Sequence, residues 1–118
     1  MSADRRQMPR IDVVHRLRAE IAPLGLEVRV VDFSYGGFRA ECAAAFGPDS
    51  TYDFRVWTAD GSCSETLRAK AVYCHRIGGP NETPSYVSGF AFLDLRQPDV
   101  ERRVHRILDK LTSVLQVA

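Results

Sequence analysis

The sequence predicts a small antiparallel β-barrel followed by one amphipathic helix. Through most of the chain apolar and polar residues alternate, which is typical of strands with one buried face. Strand-like segments recur about every ten residues with turn sequences between them, as in sandwiches and barrels. A barrel leaves no exposed strand edge, so we choose it over an open arrangement. The C-terminal segment instead has the three- and four-residue period of a helix.

The individual strands follow from this alternation. Residues 10–21 (RIDVVHRLRAEI) fit either a strand or a helix, and we assign them to a strand because strands follow. LEVRVV and FRAEC flank a Gly-Gly turn, and TYDFRVWT is joined to TLRAKAVYCH through Asp60-Gly61, a strong hairpin signal. YVSGFAFLDL follows the loop RIGGPNETPS, and its Gly89 indicates a bulge or a close approach. In TLRAKAVYCH, Tyr73 continues the apolar face, and we assign Trp57 and Phe92 to the barrel interior.

The C-terminal segment QPDVERRVHRILDKLTSVLQVA predicts a helix over about residues 98–116. Pro98 suits the first helical position, and Asp99 and Glu101 complement the N-terminal dipole. We expect the apolar stripe to close one end of the barrel or, alternatively, also to meet a partner chain. The stripe consists of Val100, Val104, Ile107, Leu108, Leu111 and Leu115.

Size and composition predict one globular domain over residues 1–118, with an arginine arm at 1–10 and the barrel over about 11–96. No apolar run approaches the ~20 residues that a membrane helix needs, and no signal-peptide pattern follows the basic N-terminus. We therefore expect a cytoplasmic protein without membrane insertion. The net charge of +1 disfavours binding to a nucleic acid polymer, which usually requires a strongly basic domain.

The sequence gives little support for a metal site or an enzyme. Cys42, Cys63 and Cys74 are odd in number and lack CxxC spacing, so we predict reduced thiols. Cys74 and His75 are adjacent on a strand, point to opposite faces, and so predict no metal site. No nucleophile-elbow or HExxH context is present, and we predict no catalytic residues.

The turn in VVDFSYGGF carries an unusual set of polar groups. Asp32 and Ser34 are two apart and share one face of an extended strand, while Phe33 points to the other. A carboxylate can accept the adjacent N1 and N2 hydrogens of guanine. Gly36 and Gly37 permit positive φ and a close approach to the backbone. The alternative is an ordinary hairpin turn in which Asp32 and Ser34 bond only local backbone amides.

The N-terminal segment DRRQMPR is rich in arginine. Arg6 and Arg10 are four apart, and Pro9 biases Met8 towards an extended conformation, so both side chains lie on one side, about 13 Å apart. Arginine suits bidentate recognition of phosphate and guanine edges. The arm is therefore either loose in solvent or wrapped around an anion.

Together these motifs resemble the PilZ domain, the bacterial receptor module for cyclic di-GMP, whose signatures are RxxxR and [D/N]xSxxG. RQMPR at Arg6–Arg10 and DFSYGG at Asp32–Gly37 match them, and the late strands and C-terminal helix are also similar. The resemblance implies a six-stranded antiparallel PilZ-type β-barrel with a C-terminal α-helix. It implies these ligand-binding residues: Arg6 and Arg10 for phosphates and guanine faces, Asp32 and Ser34 for the guanine edge, and Gly36 and Gly37 for the approach of the base. Arg5, just before the first motif, is compatible with a pair of stacked, intercalated ligands.

The resemblance further implies a receptor and not an enzyme, with cyclic di-GMP as its ligand and no cofactor. The arginine arm is expected to order around the nucleotide, and the signal is expected to pass by contact to an unidentified downstream protein. Monomer and homodimer both remain open, as does ligand stoichiometry. The alternative is a PilZ-like protein adaptor that does not bind the nucleotide.

Overall fold

Seven strands and one helix form the described part of the protein. The structure is a computed structural model that describes the backbone of residues 11–117 and the side chains of residues 11–112. The elements in chain order are β1 (Ile11–Asp12), β2 (Leu17–Ile21), β3 (Leu26–Phe33), β4 (Gly37–Cys42), β5 (Thr51–Thr58), β6 (Ser64–Ile77), β7 (Ser85–Phe92) and α1 (Pro98–Val117).

Six of the strands close into an antiparallel barrel. Their order is β3-β2-β5-β6-β7-β4, and the pairing of β3 with β4 closes the ring. β1 is an additional short strand that pairs only with β3 among the described strands. The predicted six-stranded antiparallel barrel with a C-terminal helix is therefore confirmed. Closure pairs both edges of each barrel strand and removes the exposed edges that an open sheet would have.

The first predicted strand is interrupted. β1 pairs with the end of β3, Ile11 opposite Phe33, whereas β2 pairs with its start. Between them residues 14–16 form a turn in which the Arg16 amide donates to the Val13 carbonyl at 2.8 Å, and His15 has a φ of 71°. Val13 is fully buried. Its burial fixes the turn against the barrel, so the strand prediction is right in type but misses this break.

The barrel interior is an aromatic core. The Phe38 ring lies at its centre, 5.0 Å from Phe54, 5.1 Å from Phe90 and 5.8 Å from Phe92 between centroids. The predicted interior position of Phe92 is confirmed, since only 6% of it is exposed. Val28, Val30, Val56, Leu67, Ala69 and Ala71 surround these rings. Each comes from the apolar face that the alternation predicts.

Two bulges turn side chains from one face of a strand to the other. The register of β3 shifts between Val30 and Asp32, and that of β6 shifts between Ala71 and Tyr73. One extra residue in a strand reverses the facing of everything after it. Tyr73 consequently lies outside the barrel, against Gly89, and the predicted inward position of Tyr73 is wrong. The predicted close approach at Gly89 is confirmed, because a Cβ there would lie 2.2 Å from Tyr73 Cε2.

Trp57 also lies outside the barrel. It follows the buried Val56 on β5, and the Arg18 and Arg55 guanidinium carbons lie 5.6 and 5.4 Å from its ring. The predicted interior position of Trp57 is therefore wrong. Cation–π contacts with two arginines stabilise this large ring on the outer face.

Helix α1 packs across the barrel end where β5 finishes and β6 begins. Val104, Ile107 and Leu111 are buried, as expected of the predicted apolar stripe. The Arg106 guanidinium lies 3.1 Å from the Glu65 carboxylate at the start of β6 and adds an ion pair at the edge of the contact. Among residues 11–117, no helix is both long and apolar enough to cross a membrane.

Candidate functional site

The turn between β3 and β4 is held by Ser34. Its amide donates to the Gly37 carbonyl at 2.8 Å, and its hydroxyl donates to the same oxygen at 3.2 Å. Ser34 is 5% exposed. The local hydrogen bonding left open as an alternative is therefore present at Ser34. It fixes the conformation of the turn and holds the hydroxyl in one direction.

Asp32 is a nearly buried carboxylate on the outer side of the barrel. The bulge before it turns Phe33 into the core and Asp32 away from it. The Arg39 Nε donates to Asp32 Oδ2 at 2.6 Å, and a second guanidinium nitrogen lies 2.5 Å from the same oxygen. The hydrogen bond and the charge of Asp32 raise the pKa of Arg39. The carboxylate at the centre of the predicted site is thus held in a fixed orientation.

A second carboxylate stands beside the first. Asp12 on β1 is directly opposite Asp32 on β3, and like charges in such a pair repel. The Asp12 carboxylate accepts the Val14 amide at 3.2 Å, and its carbonyl accepts the Arg16 guanidinium at 2.7 Å. These contacts join Asp12 to the turn at residues 14–16 that follows it. Each of the two carboxylates has an arginine nearby, because Asp32 pairs with Arg39 and the Arg16 guanidinium lies at the Asp12 carbonyl.

Gly37 is required by the packing of β4 on β7. A Cβ at this position would lie 1.9 Å from the Phe90 carbonyl oxygen and 3.1 Å from the Ala91 Cα. The φ of Gly37 lies outside the left-handed region, so close approach and not positive φ requires glycine here. The Gly36 carbonyl accepts the Phe92 amide at 3.0 Å. Both glycines therefore join the turn to β7.

Tyr35, at the tip of the turn, contacts helix α1. Its hydroxyl donates to Glu101 Oε2 at 2.7 Å, and its ring centroid lies 5.4 Å from that of His105. The hydrogen bond to Glu101 is the main cause that raises the pKa of Tyr35. The turn is consequently connected to the first half of the helix.

The structure brings four of the predicted site residues into one turn. They are Asp32, Ser34, Gly36 and Gly37. The other three, Arg5, Arg6 and Arg10, lie outside the described residues. Residues 11–112 contain no cluster of three or more His, Cys, Asp or Glu side chains that could hold a metal ion.

Sequence analysis missed Arg39 and Tyr73, which support Asp32. Arg39 is two residues after Gly37 and lies directly across the hairpin from Asp32. The length of the turn would have been enough to predict this pairing from the sequence. Tyr73 comes from β6, and no local pattern relates it to the turn.

Comparisons with known proteins give a consistent identification. The family model of the PilZ domain matches residues 4–110. The structure is similar to the PilZ domain of YcgR from Escherichia coli with c-di-GMP, with a TM-score of 0.68, 24% identity and 95% of each chain covered. It is also similar to MrkH of K. pneumonia in its apo state, with a TM-score of 0.66, 19% identity and coverage of 92% of this chain and 50% of that one.

The chain spans 48% of a longer Escherichia coli YcgR structure in complex with c-di-GMP, at 21% identity and a TM-score of 0.69. No curated protein sequence matches. The family model covers most of the chain, including both arginines of RxxxR and the whole Asp32–Gly37 turn. On this basis the chain belongs to the PilZ domain family.

Proposed function

We propose that the protein is a cyclic di-GMP receptor that binds the nucleotide with its Asp32–Gly37 turn and with Arg5, Arg6 and Arg10. One observation carries the proposal: β1 lies beside the turn, with Ile11 opposite Phe33. Arg10 is bonded directly to Ile11. The described part of the chain therefore begins beside the Asp32–Gly37 turn, which supports one shared ligand for two motifs that are about twenty residues apart in sequence.

The chemistry of each motif suits one part of the ligand. The fixed Asp32 carboxylate accepts the N1 and N2 hydrogens of a guanine, and Ser34 lies beside it in the same turn. The arginines take the phosphates in charge-assisted bonds, bind the O6 and N7 edge of guanine, and stack on the bases. Solved PilZ structures similar to this chain were determined with c-di-GMP, which supports the choice of ligand.

The signal leaves the domain through protein contact. The arm orders around the ligand in the cytoplasm, without a cofactor or a chemical step, and changes the surface that a downstream protein meets. Tyr35 offers a second route, because it lies inside the binding turn and donates to Glu101 on α1. The partner in this proposal is an unidentified downstream protein, and the receptor meets it as a monomer or a homodimer.

The proposal is tested by isothermal titration of cyclic di-GMP into the wild type and into an Arg6→Ala/Arg10→Ala variant. We expect saturable binding by the wild type. The variant loses at least about 30-fold in affinity, since truncation of an interfacial charged partner costs about 2–5 kcal/mol. Arg55→Ala is the matched control, because Arg55 forms an ion pair with Glu20 elsewhere on the barrel. GTP serves as the specificity control.

The stoichiometry of the titration reports on Arg5, which Arg5→Ala examines separately. Wild-type protein that is folded but shows no heat and no thermal shift would reject the receptor proposal. Such a result favours the PilZ-like adaptor, and partner proteins would then be sought.

Ordering of the arm is tested by limited trypsin digestion. Trypsin cleaves after arginine, so cyclic di-GMP is expected to slow cleavage within residues 5–10 and leave other sites unchanged. Equal cleavage rates with and without saturating nucleotide would contradict ordering while leaving binding itself intact.

A further inference from the structure

Four residues outside the PilZ signatures and the turn meet in one row across the outer face of the barrel with Asp32. The pairing register places Asp32 on β3 opposite Arg39 on β4, Arg39 opposite Gly89 on β7, and Gly89 opposite Tyr73 on β6. On β1, Asp12 extends the row on the other side. Cross-strand neighbours on one face interact directly. The row therefore connects the turn between β3 and β4, through β7, to β6.

The row depends on the two bulges. Without the shift after Val30, Asp32 would share the inward face of Val28 and Val30. Without the shift after Ala71, Tyr73 would point into the core and could not meet Arg39. Both irregularities fall next to members of the row, and both turn those members outward.

Gly89 makes room for the Tyr73 ring. A Cβ on Gly89 would lie between 2.2 and 2.8 Å from three atoms of that ring, so the ring occupies the space that a side chain at position 89 would need. Because Gly89 has no side chain, Tyr73 is the next side chain to Arg39 along the row, and after the larger effect of Asp32 it contributes to the raised pKa of Arg39. The His75 ring stacks on Tyr73 at 5.1 Å with an interplanar angle of 24°. Arg39 therefore lies between a carboxylate and a phenol in the row.

The Asp32–Arg39 pair has the least exposed carboxylate among the ion pairs of the described residues. The Asp32 side chain is 7% exposed, against 12% for Glu65 paired with Arg106, 19% for Glu20 paired with Arg55 and 50% for Glu27 paired with Arg18. A buried carboxylate depends on its partner far more than a solvated one does. Arg39 itself is 43% exposed, so its position follows from these contacts and not from burial.

We propose that Arg39 is a positioning residue for guanine recognition, fixed by Tyr73 over Gly89. Arg39 holds Asp32 Oδ2 and so sets the direction in which the carboxylate meets the guanine edge. This inference rests on the proposed function. It adds that the preference for guanine depends on β6 and β7 as well as on the signature residues.

A double-mutant cycle tests the proposal. Kd is measured for cyclic di-GMP and for cyclic di-IMP, which lacks the guanine 2-amino group, with wild type, Arg39→Met, Asp32→Ala and the double variant. Arg39→Met is expected to weaken cyclic di-GMP binding about tenfold and to reduce the preference over cyclic di-IMP. In the Asp32→Ala background the same substitution is expected to change Kd less than about twofold.

An equal loss in both backgrounds would show that Arg39 contacts the ligand directly and would overturn the positioning role. No loss in either background would overturn it as well. Arg55→Met is the matched control, since it removes an outer-face guanidinium with a carboxylate partner at 2.5 Å and is expected to leave Kd unchanged.

Tyr73→Phe keeps the test valid if Arg39→Met fails to fold. It retains the ring over Gly89 and removes only the hydroxyl on the Arg39 side of the proposal, and we expect about a threefold loss that disappears in the Asp32→Ala background. Wild-type affinity in Tyr73→Phe would remove Tyr73 from the proposal. Absence of binding by the wild type would overturn the receptor function itself, whereas wild-type binding with an unaffected Arg39 variant would overturn only this inference.

Discussion

Replacing Gly37 with alanine is expected to break the barrel and not merely the binding site. The added Cβ would lie 1.9 Å from the Phe90 carbonyl oxygen, whereas a carbon–oxygen contact normally needs about 3.3 Å. The obstacle is backbone and cannot rotate away. β4 and β7 must therefore separate by more than a hydrogen bond tolerates, because N–H···O bonds extend only to about 3.2 Å.

The magnitude follows from what that separation disrupts. Overpacking alone costs about 1–3 kcal/mol, and each lost ladder hydrogen bond adds about 1 kcal/mol, so Gly37→Ala is expected to cost at least about 3 kcal/mol. Two other glycines calibrate this value. At Gly61 the φ of 76° makes alanine unfavourable by about 1 kcal/mol with no clash, and at Gly47 alanine meets nothing within 4 Å and is expected to be neutral.

Urea unfolding of the three variants measures these differences. The single tryptophan, Trp57, reports by fluorescence, and far-UV circular dichroism gives an independent probe. We expect the free energy of unfolding to fall in the order Gly47→Ala, Gly61→Ala, Gly37→Ala. A Gly37→Ala protein as stable as the wild type that nevertheless fails to bind cyclic di-GMP would refute the packing argument and favour direct ligand contact.

Three further predictions concern the core, the hairpin and the helix. Phe38→Ala removes the central ring and is expected to cost about 3–5 kcal/mol in the same urea assay, and a loss below about 1 kcal/mol would contradict its central position. The Ser62 amide and the Thr58 hydroxyl lower the pKa of Asp60 to about 2 from 3.8, so its ionised form favours folding. That stabilisation is present above about pH 4 and is lost as the pH falls towards 2. Asp60→Asn should lack this part of the acid dependence of the free energy of unfolding. If that free energy falls as steeply with decreasing pH in Asp60→Asn as in the wild type, Asp60 does not contribute to the acid dependence. Tyr35→Phe removes the donor to Glu101, so amide hydrogen exchange should accelerate in the first turns of α1 but not in β5, and unchanged exchange in α1 would show that the hydroxyl does not hold the helix.

Periodicity predicted the elements well where one rule applied over a whole strand. In β5, Phe54 and Val56 face inward as expected, and the hairpin after it has Gly61 with a positive φ. The predictions failed where a single extra residue reversed the facing. The bulge before Tyr73 leaves no mark in the alternation, because a large half-buried aromatic ring suits either face.

The candidate site shows the same division. Asp32 and Ser34 were predictable because their chemistry and their spacing of two lie within one short segment. To predict that Arg39 lies beside Asp32, one needs the length of the hairpin turn. To predict that Tyr73 lies in the same row, one needs the order of the four strands β3, β4, β7 and β6. Gly37 was identified for its freedom and its closeness to a base, whereas the structure shows that its missing side chain is needed by β7. Long-range pairing sets these features, and a single sequence does not display it.

The two ends of the barrel carry different turns, so they differ in their suitability for attaching a label. β1, the Asp32–Gly37 turn and the contact of Tyr35 with α1 all lie at one end. The turn between β2 and β3 lies at the other, about 25 Å away along β3 at the usual rise per residue. Leu24, 73% exposed in that turn, is therefore the preferred point to attach a dye or a sensor surface. A protein tethered there presents the end with the candidate site to solution, and a sensor built this way would leave that end unobstructed.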